Sequence, residues 1–246
     1  MEKIMVGILS LLYKAYFFLL FTVTLVLFYP FFWVTLVPEN KNFRLAFQLK
    51  RIWARVLFYG SFNRVRVEGA FPQGQGPFII TPNHSSYFDI IVSYVVFTEP
   101  FLFMGKAELL KWPLFNIFFK YMDIAVFRQD PVKAARSMVK ARVSVREGNS
   151  LVIFPEGTIS KIAPRLRGFK PGAFKIAADT NSPIVPVTFV GNHKVINVNS
   201  WTALSRPGKV KVCIHDSISP KSFEKEELRE LSEAIKHKIE SKLYGS

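Results

Sequence analysis

Apolar side chains run almost without interruption from Ile4 to Val37, broken by Lys14 and Pro30. Eighteen or more such residues suit a membrane span. A helix from Ile4 to Tyr29, however, would carry the Lys14 ammonium into hydrocarbon at about 2.5–3.5 kcal/mol near the bilayer centre. Ala15 to Tyr29 alone is too short to cross about 30 Å. The two breaks therefore favour a bilayer-embedded pair of helices in one leaflet over a single span. No small-x-small cleavage pattern of the kind a signal peptide needs follows the run. From Phe43 to Tyr59 the pattern changes: Leu45, Leu49, Ile52, Trp53 and Val56 recur at helical spacing, with Arg44, Gln48, Arg51 and Arg55 opposite. Such a basic amphipathic helix either lies in the headgroup plane, aromatics immersed and arginines on phosphates, or packs on the domain as an ordinary helix. Trp33, Arg44, Arg51, Trp53 and Arg55 are the candidate membrane contacts.

Beyond about Asn63 the texture becomes short β-type runs alternating with helical patterns. Strands are predicted at Arg64–Val67, Phe78–Thr81, Phe101–Met104, Ile124–Phe127, Leu151–Phe154, Val185–Val190 and Val210–Ile214. Helices are predicted from Asp89, near Pro113–Tyr121, from Pro131 to Glu147 with Asp130 as cap, near Ala173–Ala178, and from Phe223 to Leu243. The alternation predicts an α/β domain, residues 61–246, with a mostly parallel central sheet flanked by helices. Residues 1–60 form an N-terminal membrane-associated helical segment.

Composition narrows the partners. With 50% apolar and 21% charged residues the chain buries ample apolar surface, which excludes disorder. Thirty-three Lys and Arg against 18 Asp and Glu give a net charge of +15, which attracts an anionic partner. The mean hydropathy of +0.20 turns that preference toward a lipid surface rather than nucleic acid, for which no recognition motif is present. Basic residues concentrated after the apolar run place the remainder on the cytoplasmic face of the cell membrane. Cys213 is the one cysteine, so there is no intrachain disulfide, and no Cys/His metal-binding cluster or cofactor motif is visible.

Four predicted strands end in chemically useful residues. Asn83-His84 follows the second, Lys106 the third, Arg128 ends the fourth and Glu156-Gly157 follows the fifth. Open α/β sheets bind ligands beyond the carboxyl ends of their strands, so one His, one acid and two cations are expected at one crevice. His84 and Asp89, five apart, would point about 140° from each other on a regular helix, so contact needs a turn between them. With that turn, Asp89 takes the proton of one ring nitrogen while the other accepts a proton from substrate. No G-x-S-x-G elbow, Walker A, G-x-G-x-x-G or H-E-x-x-H pattern supplies a nucleophile or cofactor site. A base without a nucleophile suits direct attack by a substrate hydroxyl on an activated acyl donor such as a thioester. Arg165, Arg167 and Lys170, just ahead of the predicted helix at Ala173, would hold a phosphate.

These residues resemble the glycerophospholipid acyltransferases, most closely the bacterial 1-acylglycerol-3-phosphate acyltransferases, over about Val65 to Gly191. Asn83-His84-Ser85-Ser86-Tyr87-Phe88-Asp89 is similar to the family's Asn-His-x4-Asp motif. Ile124-Ala125-Val126-Phe127-Arg128, Phe154-Pro155-Glu156-Gly157-Thr158 and Ile184-Val185-Pro186-Val187 resemble the next three. Lys106-Ala107-Glu108-Leu109 and Lys170-Pro171-Gly172-Ala173-Phe174 also look like family segments. The resemblance implies that His84 is the general base and Asp89 its partner. It also implies that Arg128, Lys106 and the loop after the third motif (Glu156, Gly157, Thr158) hold the glycerol phosphate. Two departures stand out: Met122-Asp123 where the second motif usually starts with Gly, and Ile159 where the third continues with Arg. Phosphate binding would then lean on Arg165, Arg167 and Lys170. The implied reaction carries a fatty acyl group from acyl-CoA or acyl-carrier protein to the 2-hydroxyl of lysophosphatidic acid (1-acylglycerol 3-phosphate), giving phosphatidic acid. Glycerol 3-phosphate or another lysophospholipid is the alternative acceptor. A non-catalytic lipid-binding protein is the alternative of another class.

Overall fold

The computed structural model describes residues 2–37, 42–72, 74, 76–197, 200, 202–219 and 227–244. Helices α1 (Glu2–Leu36) and α2 (Phe43–Gly60) precede a seven-stranded sheet. Its strands are β1 (Arg64–Glu68), β2 (Ile79–Pro82), β3 (Phe101–Lys106), β4 (Ile124–Val126), β5 (Ser150–Val152), β6 (Ile184–Val190) and β7 (Lys209–Ile214). The order across the sheet is β1-β7-β6-β2-β5-β3-β4, and every neighbouring pair is parallel except β6 and β7. Each predicted strand is present, shifted by one or two residues. The central strands are buried on both faces, so they read as unbroken apolar runs. Around them lie α3 (Phe88–Val96), α4 (Asn116–Tyr121), α5 (Pro131–Arg146), α6 (Gly172–Thr180), α7 (Asn192–Val195) and α8 (Leu228–Tyr244). Asp130 caps α5 as expected, its carboxylate accepting from Lys133 N at 3.0 Å. The expected start of the last helix at Phe223 lies outside the described residues.

The amino-terminal segment departs from expectation in two ways. First, neither Lys14 nor Pro30 breaks the apolar run: α1 is one helix of 35 residues with Pro30 inside it. Proline removes one backbone bond. The turn is held instead by Phe32, whose ring meets Phe118 at 4.9 Å and Trp53 at 5.7 Å. Lys14 turns toward the protein, where its ammonium donates to the carbonyls of Ser200 and Ala203. Second, Arg51 and Trp53 are not membrane contacts. Both are buried, Arg51 donating to the Tyr94 carbonyl of α3 at 3.3 Å, and Trp53 packing on α1 and α4 with its Nε1 donating to Thr24 Oγ1 at 2.9 Å. The buried stripe of α2 is Ala46, Phe47, Lys50, Trp53, Ala54, Leu57 and Phe58, whereas Leu45, Ile52 and Val56 point outward. Trp33, Arg44 and Arg55 are exposed.

A buried ion pair fastens α2 to the sheet. Lys50 Nζ lies 2.7 Å from Asp123 Oδ2, and Asp123 Oδ1 accepts from Phe103 N at 2.9 Å. The Tyr94 and Phe118 rings flank the ammonium at 5.0 and 4.7 Å. Asp123, a departure from the family motif, thus has a structural partner that the motif does not include.

Candidate active site

Strand β2 ends at Pro82, and the turn Asn83–Tyr87 leads directly into α3. Asn83 pins that turn to β6: its Oδ1 accepts from Phe189 N at 2.7 Å and its Nδ2 donates to Phe189 O at 3.1 Å. The turn brings His84 Nδ1 within 2.9 Å of Asp89 Oδ2, so the five-residue separation closes as the proposed dyad requires. Asp89 is fully buried at the first turn of α3. Its Oδ2 also accepts from Ser85 N at 2.6 Å and Ser86 N at 2.8 Å, and its Oδ1 from Asn192 Nδ2 at 2.7 Å. Surrounded by donors, this oxygen pair is an acceptor throughout, which puts the imidazole proton on Nδ1 and the lone pair on Nε2. The His84 ring stacks on Phe154 with centroids 3.9 Å apart, and 12% of the side chain remains exposed. Among the described residues Nε2 has no hydrogen-bond partner.

Glu156, which the sequence assigns to substrate, faces the chain itself. Its Oε1 accepts from His84 N at 2.7 Å and its Oε2 from Arg167 N at 2.9 Å. Each oxygen thus accepts one backbone N–H, and the residue ties the histidine turn to the basic loop. Burial raises its carboxyl to a pKa of about 7, against the lowering effect of the two N–H bonds. Ser160 N donating to His84 O at 2.8 Å and Lys170 N to Pro155 O at 2.7 Å complete the tie.

On the Phe154 side a cavity of about 150 Å³ is lined by Met104, Met138, Ile153, Gly157, Arg128 and Lys170, and by the uncapped first turn of α6. Arg128 and Lys170 are the predicted cations that the structure brings together there. Burial lowers the Arg128 guanidinium from its ordinary pKa, and the nearby Glu108 charge partly offsets this. Gly157 has φ +69°, and a Cβ there would meet Lys170 Cδ at 2.9 Å, so this glycine lets the lysine lie across the strand end. Lys106, Arg165 and Arg167 are exposed and do not line that cavity, and Thr158 is half-buried. Among the described residues none of these five cations forms a salt bridge, and no group of His, Cys, Asp and Glu could hold a metal ion.

Sequence reasoning missed Asn192 and Phe154 as parts of the site. Asn192 had a signal: it stands two residues beyond β6, at the same end of the sheet as the other strand-end residues.

Residues 64–190 match the sequence profile of the acyltransferase family. The chloroplast 1-acyl-sn-glycerol-3-phosphate acyltransferase of Arabidopsis thaliana is 31% identical over 173 residues, 69% of this chain and 48% of that protein. The chain thus spans about half the length of such plant relatives. The bacterial enzymes of that name match more of their length. That of Borreliella burgdorferi is 30% identical over 81% of this chain and 80% of its own. That of Haemophilus influenzae is 32% identical over 68% and 70%. The crystal structure of the 1-acyl-sn-glycerophosphate acyltransferase PlsC from Thermotoga maritima superimposes with a TM-score of 0.79 at 28% identity, covering 96% of this chain and 97% of that one. The profile match runs from β1 through β6 and takes in the dyad, the cations and the loop that ties them together; the chain belongs to the acyltransferase family.

Proposed function

We propose that the protein transfers a fatty acyl group from a thioester, acyl-CoA or acyl-carrier protein, to the 2-hydroxyl of 1-acylglycerol 3-phosphate, forming phosphatidic acid. The observation that carries this reading is His84, with Nδ1 on Asp89, Nε2 unpartnered among the described residues, and its ring stacked on Phe154, which lines the cavity bearing Arg128 and Lys170. In this mechanism Nε2 takes the proton of the acceptor hydroxyl as its oxygen attacks the thioester carbonyl. Asp89 holds the imidazolium that forms. The tetrahedral intermediate then collapses, the C–S bond breaks, and the imidazolium returns its proton to the departing thiolate. Arg128, Lys170 and the free N–H groups at the start of α6 receive the acceptor phosphate, with Lys106, Arg165 and Arg167 at the entrance. The names of the bacterial relatives and of the Thermotoga maritima structure support the acceptor.

The decisive assay measures acyl transfer from a long-chain acyl-CoA to 1-acylglycerol 3-phosphate, comparing wild type with His84→Ala. Product from the wild type and none from the folded variant is expected. Equal activity in both would sink the mechanism. Preference for glycerol 3-phosphate or another lysophospholipid in a competition assay would replace the acceptor, and no transfer with any of them would favour a lipid-binding protein.

The same reading places the enzyme on the membrane through α1 and α2. One face of α1 is packed on the protein from Ser10 to Leu36, while Leu12, Leu19, Val23, Leu27 and Phe31 are exposed. A helix held to the catalytic domain along that length is poorly placed to leave it for the far side of a bilayer. Its outer face, with Leu45, Ile52 and Val56 of α2, suits immersion in one leaflet on the cytoplasmic side, with Trp33, Arg44 and Arg55 as interfacial contacts. A tag before residue 1 is expected on the same side as a C-terminal tag in oriented vesicles; protection of only one of them would refute the arrangement.

A further inference from the structure

A second cavity, of about 630 Å³, lies between the first turns of α1 and the chain that follows α7. Its volume falls in the range of small-molecule sites, about 300–1,000 Å³. One wall is apolar, with Val6, Leu9 and Tyr13 from a single face of α1 opposing Leu204. The rest of the lining includes Lys194 and Arg206, whose backbones meet where Arg206 N donates to the Lys194 carbonyl at 3.1 Å. Neither cation forms a salt bridge among the described residues. His193 also lines it; burial and the Lys194 charge lower its pKa, and the Asp89 charge partly offsets this.

An apolar wall together with two cations that form no salt bridge among the described residues fits an amphiphile with an anionic head and a hydrocarbon tail. Inorganic phosphate alone would leave the apolar wall unused. A choline headgroup would bring a further cation against Lys194 and Arg206. The apolar wall belongs to α1, whose outer face is the proposed lipid contact, so the cavity opens where bilayer lipids are at hand. We propose that it holds one anionic glycerophospholipid of the membrane, its phosphate on Lys194 and Arg206 and an acyl chain along Val6, Leu9 and Tyr13. This site is distinct from the Arg128–Lys170 cavity, and of the functional reading it uses only the membrane association.

The test is native mass spectrometry of the full chain in non-ionic detergent, with phosphatidylglycerol, phosphatidylcholine or inorganic phosphate added. One phosphatidylglycerol retained per wild-type chain is expected, with no retained phosphatidylcholine and no displacement by millimolar phosphate. Lys194→Glu/Arg206→Glu should lower retention at least about tenfold. Leu9→Trp, which fills the cavity without changing charge, should do the same. Acyl transfer measured on detergent-dispersed substrates without added phospholipid should be unchanged in all of them. Retention equal to wild type in both variants, or equal retention of phosphatidylcholine, would overturn the site. Displacement by inorganic phosphate would identify a free anion as the ligand and overturn it too. Because retention is read independently of turnover, an inactive wild type that still holds the lipid would discredit the enzyme reading and not the cavity.

Discussion

Asn192 donates its side-chain amide to Asp89 Oδ1 at 2.7 Å, joining residues 103 apart in sequence. The bond links the end of β6 to the first turn of α3, where Asp89 meets His84. Within the proposed mechanism Asn192 touches neither substrate; it orients the carboxylate that orients the base. Replacing it with Leu removes a hydrogen bond to a charged group, a loss of about 1.5–3 kcal/mol. Applied to a transition state in which the imidazolium forms, this lowers kcat by about ten- to a hundredfold. KM for the acceptor should be nearly unchanged. A raised KM with normal kcat would instead place Asn192 against substrate.

Glu156 gives the fold a pH dependence of its own. Its carboxyl titrates near pH 7 in the folded chain and near the ordinary 4.5 when unfolded. An acid whose folded pKa is raised has its full stability below the unfolded pKa and loses it as pH rises from there through the folded one. Ionisation in place thus costs the folded state about 3 kcal/mol by pH 8, since each pKa unit is about 1.4 kcal/mol. Glu156→Gln removes the titration and keeps one acceptor for His84 N or Arg167 N. Urea unfolding of both proteins from pH 5 to pH 8 is therefore expected to show wild type losing ground to the variant as pH rises. Parallel profiles would mean that the carboxylate is better solvated than its burial implies.

How much of this was legible beforehand depended on whether a pattern or a distant partner set the outcome. The strands could be read because their burial on both faces leaves a run of apolar residues, and the strand-end rule then found His84, Arg128 and Glu156. The sequence also shows a charge at Lys14 inside an apolar helix, but not the Ser200 and Ala203 carbonyls that receive it from nearly 190 residues away. On α2 the helical period was right, but the face packed on the protein carries Lys50, Arg51 and Trp53, while Leu45, Ile52 and Val56 of the apolar stripe point outward. Polar residues such as Lys50, Arg51 and Trp53 are buried because each finds a partner supplied by other elements, and a hydropathy pattern ranks them by transfer cost alone. Glu156 was correctly found at a strand end, but its acceptors-to-backbone role depends on where the chain returns at Arg167.

Gly157 and Lys170 offer a separate test of the anion site. Alanine at 157 would adopt φ +69°, an unfavourable conformation by about 1–2 kcal/mol, and press on Lys170 Cδ and Cε. The lysine must swing away. Gly157→Ala should raise KM for 1-acylglycerol 3-phosphate severalfold, as should Lys170→Ala. If displacement of the lysine is the cause, the two effects are not additive: in a Lys170→Ala background the second substitution adds little to KM. Full additivity would show that Gly157 acts on the acceptor independently of Lys170.

The Lys50–Asp123 pair predicts a stability pattern rather than a kinetic one. Both groups are almost completely buried, 2.7 Å apart, so desolvation opposes their attraction. Desolvation lowers the lysine pKa, and the Asp123 charge counters that shift. Lys50→Met leaves the Asp123 charge unpaired in the core, and Asp123→Asn does the same to the ammonium; each should cost about 3–5 kcal/mol. The double variant Lys50→Met/Asp123→Asn leaves no buried charge. Its carboxamide oxygen still accepts from Phe103 N, and methionine fills the place between the Tyr94 and Phe118 rings. It should therefore be more stable than either single variant. Urea midpoints measured for all four proteins in the same detergent decide the matter. If the double variant is as unstable as the sum of the singles, the pair acts as two independent polar anchors of α2, and charge compensation is not what holds it to the sheet.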